Sequence, residues 1–131
     1  MIMTDIHLAA THSTPSVVAT TTPNDHDGSL EMRGDSYPEN SFEFFAPIFK
    51  WVEALLSLPD ATLNMNLHLL YLNTSSVKAM MDVFDLLEDG FGEGRKVSVS
   101  WYYDSDNERI AELAEEFKED CSFPFTINTL S

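Results

Sequence analysis

A single cysteine, Cys121, in 131 residues excludes an intramolecular disulfide and fits a reducing compartment. Basic residues are scarce: 7 Lys plus Arg stand against 22 Asp plus Glu, for a formal net charge of −15. Nucleic acid needs Lys and Arg to displace its counterions, and anionic membrane surfaces select for the same residues. The balance therefore argues against nucleic acid and against direct membrane contact. No apolar run approaches the roughly 18 residues of a membrane span. The start, Met1-Ile2-Met3-Thr4-Asp5-Ile6-His7, has neither the basic region nor the apolar stretch of a signal peptide. The expectation is a soluble cytoplasmic protein. His7, His12, His26 and His68 are dispersed without zinc spacing. His26, between Asp25 and Asp27, reads as a solvated loop residue. Gly90, Gly92 and Gly94 follow a helical pattern where a phosphate-binding loop would precede one. Neither metal nor cofactor is expected.

What is present is the making of a core. Hydrophobic residues form 44% of the chain, unlike an acidic disordered segment, and the length suits one domain over 1–131. Residues 1–12 carry the weakest pattern and are expected to be loosely ordered. Ile6–Ala10, Ser16–Thr20 and Ser29–Arg33 look like short strands, with a turn signal over Thr22–Gly28. Ser36 and Glu39 have capping-box spacing, and Ser41 is a second N-cap candidate. Phe45, Ile48, Phe49, Val52, Leu55 and Leu56 then form a helical stripe. Pro47 implies either a kink or a regular helix starting near Ala46. Leu63–Leu72 begins by alternating and becomes nearly all apolar, which suggests a central strand covered on both faces. Val77, Met80, Met81, Phe84 and Leu87 trace a second helix, ended by the three glycines. Lys96–Tyr103 has period two. Ile110, Leu113, Ala114 and Phe117 mark a third helix, and Phe123–Ile127 a final edge strand beside Pro124. The order β-β-β-α-β-α-β-α-β predicts an α/β fold with a mixed, largely parallel sheet.

In such sheets function gathers where strands lead into helix N-termini. Leu70-Tyr71-Leu72-Asn73-Thr74-Ser75-Ser76-Val77-Lys78 is the sharpest such segment: a buried strand delivers three hydroxyls to a helix start. Unpaired N–H groups and the helix dipole favour an anion there, and a phosphoryl group would add about −1.5 to −2 charge. The plain alternative is that one of the three simply caps the helix. Lys78 lies one turn beyond Thr74, where it either screens a phosphate or is an exposed helix lysine. The loop Asp35 to Ser41, with Tyr37, Pro38, Glu39 and Asn40, is either a partner-facing surface or helix entry with Tyr37 as a staple. Arg33-Gly34-Asp35 reads as a turn. Cys121 reads as an inert thiol near the core. Eight acids in the third helix and its approach (Asp104, Asp106, Glu108, Glu112, Glu115, Glu116, Glu119, Asp120) form an outward face beside Arg109 and Lys118. Asn64–Val77, by contrast, carries no formal charge.

Three blocks resemble the SiaC-type regulatory phosphoproteins of bacteria: Gly34–Ser41, Leu70–Glu88 (LYLNTSSVKAMMDVFDLLE) and Asn107–Phe125 (NERIAELAEEFKEDCSFPF). That family resembles anti-sigma-factor antagonists, so the resemblance implies a STAS-like layout and partner switching. It implies phosphorylation at Thr74 by a dedicated Ser/Thr protein kinase and removal by a PP2C-type phosphatase. It further implies that the unmodified form binds and activates a diguanylate cyclase, raising cyclic di-GMP and promoting aggregation or biofilm. The partner-binding candidates around Thr74 are Asp35, Tyr37, Pro38, Glu39, Asn40, Asn73, Ser75, Ser76 and Lys78. Competing expectations are an adaptor with another effector, a passive scaffold, or a small enzyme using the strand-end hydroxyls. The last lacks a base beside Thr74 in sequence.

Overall fold

The computed structural model describes residues 5–22 and 26–130. Its elements run β1 (Ile6–Leu8), β2 (Ser16–Thr21), β3 (Asp27–Ser36), α1 (Ser41–Leu56), β4 (Thr62–Leu72), α2 (Thr74–Gly92), β5 (Lys96–Asp104), α3 (Glu108–Glu119) and β6 (Phe125–Leu130). The six strands form one sheet in the order β1-β2-β3-β4-β5-β6. The β1–β2 and β2–β3 pairs are antiparallel, and the three later pairs are parallel. The chain is thus an α/β fold with a mixed, largely parallel sheet, in the element order expected. β1 is a three-residue edge strand on β2, so part of the 1–12 segment is tied down. Of the Thr22–Gly28 turn signal, Pro23, Asn24 and Asp25 lie outside the described residues.

Strand order explains where the core sits. Each parallel crossover steps one strand in the same direction. Right-handed connections then place all three helices on one face. That face carries Leu30 and Met32 of β3, Leu63, Met65, Leu67 and Leu69 of β4, and Val97, Val99 and Trp101 of β5, all buried. Against them pack Phe45, Ile48, Val52 and Leu55 of α1, Met80, Val83, Phe84 and Leu87 of α2, and Ile110, Ala114 and Phe117 of α3. Trp101 lies tilted against Phe117 with ring centroids 5.7 Å apart. The other face is open and polar, so β4 is covered on one side only. This corrects the expectation of a doubly covered strand. Asn64, Asn66 and His68 alternate outward, and Leu70 and Tyr71 at the end of the apolar run are exposed.

Several boundaries moved for identifiable reasons. β3 continues to Ser36 through a register shift at Gly34/Asp35, where Gly34 has φ +119°. Arg33-Gly34-Asp35 is therefore continuous strand and not a turn; the extra residue is Leu70 of β4, left without a partner between Leu69 and Tyr71. Ser36 belongs to that strand and cannot cap α1. Nor does Ser41: the N-cap is Asn40, whose Oδ1 accepts the Glu43 N–H at 3.0 Å. Pro47 lies inside α1 on its exposed side, and the helix starts at Ser41, six residues before it. The missing N–H frees the Glu43 carbonyl on the water-facing side, where solvent can satisfy it. α2 runs through Gly90, which is buried because a Cβ there would sit 3.0 Å from Leu56 Cδ1. Gly94, with φ +99°, follows the end of the helix. β6 starts after Pro124, whose carbonyl accepts the Val99 N–H at 2.9 Å.

Candidate functional site

The parallel strands end together, and the loops after β3, β4 and β5 meet at that edge. Asn73 leaves β4 with extended backbone and caps α2. Its Oδ1 accepts the Ser76 N–H at 2.9 Å and the Ser75 hydroxyl at 3.2 Å, while its own N–H donates to the Ser36 carbonyl at 3.0 Å. The three hydroxyls that follow diverge, because successive helical positions face different directions. Ser76 points inward: it is fully buried and shares a 2.9 Å hydrogen bond with the buried Ser36 hydroxyl. Ser75 bridges sideways to the Ser41 hydroxyl at 2.6 Å, linking α2 to the start of α1. Thr74, the first residue of α2, is exposed to solvent. Sequence could not rank these three. The fold exposes Thr74 and Ser75, engages Ser75 with Ser41 and Asn73, and buries Ser76 as a structural tie.

The β3–α1 loop lies alongside. The Tyr37 N–H donates to the Ser13 carbonyl at 2.8 Å, and its ring meets Tyr71 edge-on at 5.9 Å. Tyr37 thus steadies the loop and remains 40% exposed. Glu39 is exposed, Asp35 is half-buried opposite Tyr71, and Asn40 is occupied as the α1 cap. Pro38 is buried and shapes the loop. Lys78 directs its Nζ away from Thr74 to Asp82, at 3.1 Å. Exposed apolar groups surround the hydroxyls: Phe42 is 80% exposed and Tyr71 47%.

A groove of about 490 Å³ opens between the N-terminal ends of α2 and α3. Thr74 lines it together with Leu70, Tyr71, Val77, Arg109 and Leu113, and Glu112 and Glu116 border it. Sequence placed Arg109 only on an acidic helix. The fold brings it to the phosphosite candidate because Asn107 Nδ2 donates to the Leu70 carbonyl at 3.0 Å, pinning the start of α3 to the strand that delivers Thr74.

Cys121 lies apart from this site. Its thiol donates to the Phe117 carbonyl at 3.2 Å. Burial pushes its pKa up to about 11, aided by Glu88, Asp120 and Asp85. On the open sheet face, His68 Nε2 stands 3.5 Å from Asp104.

The sequence model of the SiaC family regulatory phosphoproteins matches residues 8–130. The chain belongs to that family. An uncharacterised protein of Pseudomonas aeruginosa (strain UCBPP-PA14) is 54% identical over 125 residues, covering 95% of this chain and 96% of that protein. SiaC of Pseudomonas aeruginosa has a matching structure, with TM-score 0.86 and 51% identity, covering 98% of this chain and 100% of that one. A further match comes from the crystal structure of the diguanylate cyclase SiaD in complex with its activator SiaC from Pseudomonas aeruginosa. There the TM-score is 0.86 and the identity 52%, over 96% of this chain and 100% of the matched chain. The fold expected from sequence is the fold of this SiaC-family member.

Proposed function

We propose that this SiaC-family protein is a non-enzymatic phospho-switch. Thr74 is reversibly phosphorylated by a Ser/Thr protein kinase and dephosphorylated by a PP2C-type phosphatase. The unmodified form binds and activates a diguanylate cyclase, controlling cyclic di-GMP and, through it, biofilm or aggregation. The observation that carries this reading is the separation of the three hydroxyls: among the described residues, Thr74 alone of the three combines exposure with freedom from a structural side-chain bond. The SiaC–SiaD complex of a relative at 52% identity supplies the partner class.

The physical logic is local. The Thr74 side chain sits among exposed apolar groups, including Tyr71 and Leu70. A partner covering such a patch gains from burial and must desolvate whatever lies within it. A dianion at its centre opposes that closure. The neighbouring Ser76 hydroxyl bonds to Ser36, and that of Ser75 to Ser41 and Asn73, an arrangement that supports a switch over a nucleophile with an activating base. No helix among the described residues is long and apolar enough to cross a membrane, and action in the cytoplasm is part of the proposal.

Pull-down with a diguanylate cyclase, with cyclic di-GMP production as the second readout, tests it. Thr74→Ala should bind and activate like the unmodified protein and resist the kinase, while phosphorylation and Thr74→Asp should weaken both readouts. Equal binding by all four forms would refute the switch. Intact-mass analysis of protein from its native cells should show an 80 Da increment, the mass of one phosphoryl group, at Thr74.

A further inference from the structure

The proposed phosphorylation leaves open what the phosphate does once attached. We infer that Arg109 receives the Thr74 phosphate within the same chain, clasping α2 to α3 across the groove. This deepens the phospho-switch reading and rests on it. Three observations carry it. Thr74 and Arg109 line one groove from opposite helices. Arg109 has no salt bridge among the described residues, whereas Lys78, the other cation near Thr74, is paired with Asp82. The start of α3 is held in place by the Asn107 side chain, which accepts the Ile110 N–H at 3.3 Å and donates to the Leu70 carbonyl of β4.

The charges facing the groove decide between the two nearby cations. Lys78 is one turn along α2, but its ammonium meets both Asp82 oxygens, at 3.1 and 3.3 Å. Arg109 presents a planar fork suited to two phosphate oxygens. Glu112 and Glu116, on the same helix, oppose the phosphate and give Arg109 carboxylate neighbours in the unmodified protein. Phosphorylation supplies a stronger, doubly charged partner. The clasp then lies over Leu70, Tyr71, Val77 and Leu113, the apolar floor of the groove. Release of a partner would follow from covering that floor as well as from charge.

The test uses full-length protein with phosphothreonine installed at position 74 during synthesis, so it does not depend on any kinase. The second ionisation of the phosphate is followed by ³¹P NMR against pH, with the same chain in urea as reference. A nearby cation favours the dianion, so the folded midpoint should lie about half a unit or more below the reference value near 6. Arg109→Gln should remove most of that displacement, Arg109→Lys should retain part, and Lys78→Gln should leave it in place. In wild-type protein the Arg109 side-chain Nε–H resonance should move on phosphorylation, a readout independent of any variant's folding. An unmoved Arg109 resonance, or equal midpoints in wild type and Arg109→Gln, would overturn the clasp. Loss of the displacement in Lys78→Gln alone would overturn it in favour of Lys78. An unphosphorylated Thr74 in native cells would instead defeat the switch reading and leave the NMR result standing.

Discussion

The hydrogen bond between Ser36 and Ser76 joins the end of β3 to the first turn of α2, directly beneath Thr74. Both residues are fully buried and the oxygens are 2.9 Å apart. Each hydroxyl has the other as its side-chain partner among the described residues. Ser76→Ala removes one hydroxyl and strands the other in an apolar interior. An unsatisfied buried polar group costs about 1–3 kcal/mol, so each single alanine variant should lose roughly that much. The double variant removes both polar groups together. It leaves two small voids and no orphan, and should cost less than the sum of the singles by about 1–2 kcal/mol. Urea unfolding of the four proteins gives this coupling directly, provided the slopes with denaturant agree. Strictly additive losses would show that the hydroxyls do not depend on one another, and that the tie beneath Thr74 is not a bond.

Gly28→Ala should destabilise by about 1–3 kcal/mol, because its new methyl would collide with Leu55 and the Trp51 ring; thermal unfolding measures it. Asn107→Ala removes both a helix cap and the tie to Leu70, and should cost about 1–2 kcal/mol. It should also speed amide exchange at the start of α3 before the core exchanges. The Cys121 thiol, at about 11 against an ordinary 9.0, should alkylate far more slowly at pH 8 in the folded protein than in urea. Because its folded pKa is raised, the native state holds its proton longer than the unfolded chain does. That contribution is intact below pH 9 and is lost as pH rises toward 11. Cys121→Ala should flatten the decline in stability over that window.

The element order and the parallel half of the sheet were legible because hydrophobic period switched cleanly between two and about 3.6 along the chain. Helix caps were less legible. Ser36 and Ser41 both suit a cap, but β3 runs on through Ser36 and the first turn of α1 is held by Asn40, whose side chain accepts the Glu43 N–H. The apolar end of β4 misled for a different reason: Leu70 and Tyr71 resemble core residues in sequence. Their joint exposure, between buried Leu69 and Leu72, follows from the bulge at Leu70, which breaks the alternation of β4.

By itself the sequence determined that the protein is acidic, without an intramolecular disulfide, α/β in pattern, and equipped with a hydroxyl cluster at a strand-to-helix junction. Local pattern and composition suffice for such properties. Only the tertiary structure decided which hydroxyl is buried, which is bonded to α1 and which is exposed and unengaged among the described residues, since that depends on what β3 and α1 place against α2. It also changed the electrostatics of the site. Asn64–Val77 is uncharged in sequence, yet packing brings Arg109, Glu112 and Glu116 to Thr74 from a distant helix. Electrostatic forces act through space, so the surroundings of a phosphate are set by how helices pack and not by its neighbours along the chain.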